Sequence, residues 1–202
     1  MLYTIVQDAN HYRSVIWDDA QITKLVGESD MELRIDMWNS PRTYKNVFSE
    51  TLRVSFRALS KQAEKLTIPD ICVFQGRLFL NKKAYAALED IIKSDGEFLP
   101  ISFESGDAYI FTPLRVAETV GGLDVQLSRK NEWGDLENLA FHEGKVEGWS
   151  LFRCEYDIFM SLHCQQKVKN AIEQAGLKGV FFTTELGNTF SNQFDGNIRD
   201  AN

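Results

Sequence analysis

Three histidines and three cysteines carry most of the reactive chemistry open to this chain. A bound transition-metal ion needs such donors at tight spacing, and His142, Cys154, His163 and Cys164 are the candidates. Neighbouring His163 and Cys164 project in different directions from the start of a helix, so they do not suit one tetrahedral ion. Neither a Cys-x-x-Cys nor a His-x-x-x-His occurs. The sequence predicts no metal site and no cofactor, with Cys164 a core residue of a helix. A nucleophile would need an identifiable base, yet His11, His142 and His163 lie far apart and no Gly-x-Ser-x-Gly elbow is present. Gly144 with Gly148, and Gly176 with Gly179, match neither phosphate-binding spacing. Gly176–Gly179 also follows a helix, whereas an anion site wants its glycines before one. Asp18-Asp19 is a carboxylate pair with no pocket in view to perturb it. No catalytic residue is assigned, and the chain is expected not to be an enzyme.

Recognition chemistry is better represented. Trp133 sits between charged and turn-forming residues, with Glu132, Asp135 and Glu137 around it. Two readings stand. Interfaces favour exposed aromatics rimmed by acids, and a tryptophan can equally fold back onto a sheet. Trp17, flanked by Asp18 and Asp19, poses the same choice.

The elements that must position these residues are legible in part. With 202 residues, 44% of them hydrophobic, and 14 Phe, the chain can build a dense core without staples. The first 66 residues read as a strand-rich lobe: Tyr3 and Ile5 begin a strand, Ser14–Trp17 looks like its hairpin partner, and Asp18-Asp19 breaks the run. Met31 to Met37 alternates as a half-buried strand, and Asn39-Ser40-Pro41 signals a turn. Leu52, Val54, Phe56 and Ala58 alternate again. From residue 67 to 186 the pattern becomes mixed. Ile71–Phe74 and Leu78–Leu80 flank a Gln75-Gly76 turn, and Asn81 stands as the cap of a helix near 82–94. Asp95-Gly96 closes it, with glycine supplying a left-handed cap. Phe98–Phe103 and Tyr109–Phe111 are strands about Gly106. Leu123, Val125 and Leu127 alternate after Gly121-Gly122.

A similar unit returns near the C-terminus. Ile158–Met160 is its apolar run, Ser161 its cap, and Cys164, Val168, Ala171, Ile172 and Ala175 the stripe of a helix near 162–175. It aligns without a gap from Phe79 with Phe159 to Gly96 with Gly176. The expected fold is α+β, mostly antiparallel, with two similar strand–helix–strand units. Residues 187–202 form a polar tail.

A net charge of −7 and a pI near 5.0 argue against nucleic acid and suit a basic protein partner, although plain solubility accounts for the same charge. No apolar stretch approaches the roughly 20 residues of a membrane helix. Met1–Val6 carries no basic leader, so a cytoplasmic protein with reduced thiols is expected.

The order of features from Pro69 to Phe182 resembles the immunity protein family 11 of bacterial polymorphic toxin systems. The resemblance rests on Pro69-Asp70-Ile71, Leu78–Asn81 with its helix, and Tyr109. It continues through Leu123-Asp124 with Ser128 and Ile158–Ser161 with its helix, and it is most specific at Gly176–Phe182. The N-terminal third matches loosely, in Tyr3–Val6 and in Trp38 with Pro41. The resemblance implies a cytoplasmic protein that binds and neutralises a toxin encoded beside it, with no catalytic residues. Trp133, Glu132, Asp135 and Glu137 are the candidates for partner binding. Kept beside this reading are a homodimer, a self-associating structural protein of prophage origin, and a small hydrolase using Cys154 or His142.

Overall fold

The computed structural model describes residues 1–27, 41–58, 61 and 63–187. In chain order they form β1 (Leu2–Gln7), β2 (Ile16–Trp17), α1 (Asp19–Val26), β3 (Leu52–Ser55), β4 (Ile71–Phe74), β5 (Arg77–Asn81), α2 (Lys82–Ile92), β6 (Gly96–Phe103) and β7 (Gly106–Pro113). The second half adds β8 (Arg129–Lys130), β9 (Leu136–Asn138), α3 (Glu143–Val146), β10 (Leu151–Phe152), β11 (Leu162–Gln165), α4 (Gln166–Gln174) and β12 (Val180–Thr183). The fold is α+β. A six-stranded sheet runs β2-β3-β6-β7-β5-β4, antiparallel except where β3 meets β6. A four-stranded antiparallel sheet runs β10-β11-β1-β12, and β8 and β9 form a separate hairpin. No helix among the described residues is long and apolar enough to cross a membrane.

Both sheets are buried on both faces, because successive strand residues point to opposite sides. In β5, Leu78 and Leu80 enter a central core with α2 and α4, while Phe79 enters a second core behind the sheet with Phe56 and Ile110. Fully burying a side chain of this size stabilises by about 1.5–3 kcal/mol, so the apolar run Leu78–Leu80 within β5 anchors the fold. The four-stranded sheet repeats the pattern: Leu162 and Cys164 of β11 face the central core. His163 faces the other way, against the rings of Phe141 and Phe152. A third core lies there, with Leu2, Phe152, Cys154 and Val146.

Several expectations change. Ile16-Trp17 pairs with β3, not with β1, whose partners are β11 and β12. The first 66 residues thus contribute β1 to one sheet and β2 and β3 to the other. Asp18 does more than break a strand: its carboxylate accepts from the Gln21 amide at 3.0 Å and caps α1, a helix the sequence reading missed. Trp17 is a core residue. Gly96 opens β6 and is not a left-handed cap; a Cβ there would lie 2.2 Å from the Thr112 carbonyl oxygen, so glycine is needed for room. Leu123–Leu127 is no strand. The Asp124 carboxylate accepts from the amides of Gln126 and Leu127, folding a turn that leaves Val125 and Leu127 exposed. Met31–Met37, Asn39-Ser40 and residues 188–202 lie outside the described residues.

The second unit is shorter than its gapless alignment implies. Its helix starts at Gln166, and Ser161 caps nothing, because Leu162–Gln165 is drawn into strand pairing with β1 and β10. From there the correspondence holds: Leu88 and Ile92 of α2, and Val168 and Ile172 of α4, are all buried in the central core.

Candidate functional site

The third core supports a surface built from two loops. The first is the β8–β9 hairpin. Its tip is organised by Asn131, whose side-chain oxygen accepts from the amides of Trp133 and Asp135 at 3.0 and 2.8 Å. Its amide nitrogen donates to Asp135 at 3.1 Å. Gly134 takes a φ of 87° to close the turn. Trp133 stands on this frame 79% exposed, which decides between the two sequence readings: it does not fold back. Glu132, Asp135 and Glu137 are exposed around it. Asp135 is committed to the turn, leaving Glu132 and Glu137 as the acids offered outward. The hairpin is fastened below by Leu136 in the third core and by the Lys130 ammonium, 4.8 Å from the centre of the Tyr156 ring.

The second loop runs from Cys154 to Ser161 around one carboxylate. Asp157 accepts from the Cys154 thiol (3.4 Å) through one oxygen and from the Ser161 amide (2.8 Å) through the other. The Phe159 amide closes onto the Cys154 carbonyl at 3.0 Å. This closure forces Ile158 and Phe159 to φ of 58° and 59°. Left-handed backbone is rare outside glycine and costly for a β-branched residue. It turns Ile158 and Met160 outward, 60% and 52% exposed. Between hairpin and loop lies a cleft of about 480 Å³, with Lys130, Asp135 and Leu136 on one wall and Asp157, Ile158 and Met160 on the other. A larger cleft of about 770 Å³ lies beside β6, but of its two carboxylates Glu97 is already occupied by the amides of Tyr44 and Lys45 and by the Thr43 hydroxyl, and Glu50 pairs with Lys24 at 3.8 Å.

Behind Asp157 the fold gathers donors the sequence reading kept apart. Ligand atoms of Cys154, Asp157 and His163 all lie within 4.8 Å of one another. Cys154 and His163 are fully buried. His163 Nδ1 is 3.2 Å from the Thr4 hydroxyl, whereas Nε2 has no hydrogen-bond partner. Burial holds the imidazole neutral, pulling its pKa down to about 4, and pushes the Cys154 thiol up, with the Asp157 charge adding to the rise. His163 and Cys164 do point to opposite faces, but on a strand and not a helix. The missed partner was Asp157, three residues from Cys154, a spacing whose meaning depends on the loop closing. His142 pairs with Asp124 (3.7 Å) and His11 with Asp8 (2.8 Å), so neither joins the cluster.

Two buried arginines were also missed: Arg77 opens β5 ahead of Leu78–Leu80, and Arg153 directly follows Leu151-Phe152 of β10. Arg153 donates to the Pro113 carbonyl at 2.8 Å. Arg77 donates to the Gln75 carbonyl at 3.3 Å and lies over the Tyr44 ring. Burial, reinforced by the charge of Arg77, pulls the Arg153 pKa down to about 9. No protein-family model matches the chain, and no curated protein matches it in sequence.

Proposed function

We propose that this chain is a cytoplasmic immunity-type protein that binds a partner toxin encoded nearby and neutralises it by contact, not by catalysis. The observation that carries the reading is Trp133, exposed on a hairpin tip fixed by its own hydrogen bonds. Beside it lies the cleft flanked by Ile158 and Met160. A pre-organised aromatic anchor next to an apolar recess is the physical form of an interface hot spot, since little ordering entropy is lost on docking. Glu132, Glu137 and the net charge of −7 supply complementarity to a basic partner. The family resemblance of residues 69–182 points the same way.

One observation favours the hydrolase alternative: Cys154, Asp157 and His163 converge. Their environment opposes it. The thiol faces a carboxylate and is pushed toward its neutral form, and both it and His163 are closed off from solvent. A working nucleophile needs the reverse.

The test is co-expression with the product of the neighbouring gene. The intact protein should protect the host and co-purify with that product. Trp133→Ala with Met160→Ser should weaken the complex by at least about 2 kcal/mol, roughly 30-fold, with the circular dichroism unchanged. Unaltered affinity in the double variant would remove the surface from consideration, and failure to bind any neighbour-encoded product would remove the function. If the chain instead runs as a dimer that the double variant abolishes, the surface serves self-association and the toxin reading falls.

A further inference from the structure

We infer that Cys154, Asp157 and His163 form a binding site for a borderline-soft divalent metal ion, with zinc the occupant their chemistry suits best. Three donor types meet there: sulfur, carboxylate oxygen and imidazole nitrogen, all within 4.8 Å of one another. That span is an ångström or so wider than an ion with bonds of about 2.0–2.3 Å would leave its ligands, so a small inward movement completes it. The independent observation is His163. Its Nε2 is a buried polar atom with no hydrogen-bond partner, which a folded protein rarely tolerates without a reason. The ring is already held as a metal-bound imidazole is held. Nδ1 rests against the Thr4 hydroxyl, which itself accepts from the Gly187 amide, and the opposite nitrogen is left open.

Asp157 is similarly braced by the Ser161 amide through one oxygen. The other oxygen holds only the Cys154 S–H proton, at a sulfur-to-oxygen distance of 3.4 Å. Uptake of the ion exchanges that proton for metal: the S–H bond breaks, the proton leaves to solvent, and thiolate and carboxylate both bind. Two negative ligands and one divalent cation sum to zero, the state a buried site tolerates best. Thiolate and imidazole select zinc or cobalt over magnesium and calcium, which prefer oxygen. Three protein ligands leave a fourth position for water, on the side where Asp157 lines the cleft. The inference does not depend on the toxin-binding reading.

Cobalt(II) titration of the chelator-treated full chain tests it. One equivalent should produce a thiolate-to-cobalt absorption band in the near ultraviolet, and zinc should displace it and raise the melting temperature. Cys72→Ser and Cys164→Ser should keep the band, Cys154→Ser should abolish it, and Asp157→Asn and His163→Gln should each weaken cobalt affinity tenfold or more. If Cys154→Ser does not fold, the Asp157 and His163 variants carry the comparison. Absence of the band in the unmodified protein overturns the inference outright and leaves a hydrogen-bonded loop staple. So does a band that survives Cys154→Ser or disappears with Cys72→Ser.

Discussion

The His163 imidazole sits where its charged form is penalised, and that makes the metal-free protein sensitive to acid. Its folded pKa of about 4 lies below the unfolded value of about 6.5. Between those values the unfolded chain takes up a proton that the folded one refuses, so stability is lost as pH falls from about 6.5 toward 4. The loss is on the order of 3 kcal/mol. Chelator-treated protein should show it in urea unfolding at stepped pH, and His163→Gln should flatten the dependence; a wild-type midpoint constant across that window would contradict the assignment. Ile158 carries the opposite kind of tension. Its φ of 58° burdens a β-branched residue, and its side chain is mostly exposed. Ile158→Gly should therefore stabilise the fold by about 0.5–1 kcal/mol while weakening partner binding, a trade between stability and recognition. Thermal melting paired with a binding assay checks both signs.

The two strand–helix units differ at their starts, and the difference is measurable. Asn81 caps α2, accepting from the Ala84 amide at 2.9 Å while its own amide group donates to Asp70 at 2.8 Å. Gln165 precedes α4 without any side-chain cap. Asn81→Ala should cost about 1 kcal/mol by denaturant midpoint, whereas Gln165→Ala removes no cap and only a 3.3 Å bond to the Val146 carbonyl. The same contrast explains what was legible in the sequence. Alternation identified Leu52–Phe56, and the Gln75-Gly76 turn with its flanking runs became the β4–β5 hairpin. Both depend on local periodicity and on backbone conformation at two residues. Alternation failed at Leu123–Leu127, where one carboxylate offered the backbone a turn in place of a strand partner. The continuous apolar run Ile158–Met160 was also misassigned, because a loop held by Asp157 is as apolar in sequence as a strand. The exposure of Trp133 was one of the two readings left open in the sequence, because a tryptophan among turn residues is anomalous by itself. The Cys154–Asp157–His163 cluster was not legible, because only pairing of β10 with β11 brings position 163 back to position 154.

Across the whole molecule, one carboxylate links the parts. Asp95, buried just beyond α2, accepts from the amides of Ser150 and Leu151 at 2.7 and 3.3 Å, and from the Arg115 side chain at 3.4 Å. It ties the start of β10, in the four-stranded sheet, to the hairpin of β6 and β7 in the other. Asp95→Ala leaves those donors unanswered in the interior and should destabilise by about 3 kcal/mol. Asp95→Asn should be milder, and a calorimetric melting series distinguishes the two. The central core is shared between both sheets and both α2 and α4, so such a loss is expected to lower one cooperative transition. Finally, β1 lies between β11 and β12, with Leu2 opposite Gln165 and Gln7 opposite Val180. A ribosome delivers residues 2–7 long before either neighbour exists. Both hydrogen-bonding edges of that segment stay bare through most of synthesis, open to chaperones or to stray strands, and the sheet assembles only after the twelfth strand emerges. The waiting time of that segment is set by translation through Val180–Thr183.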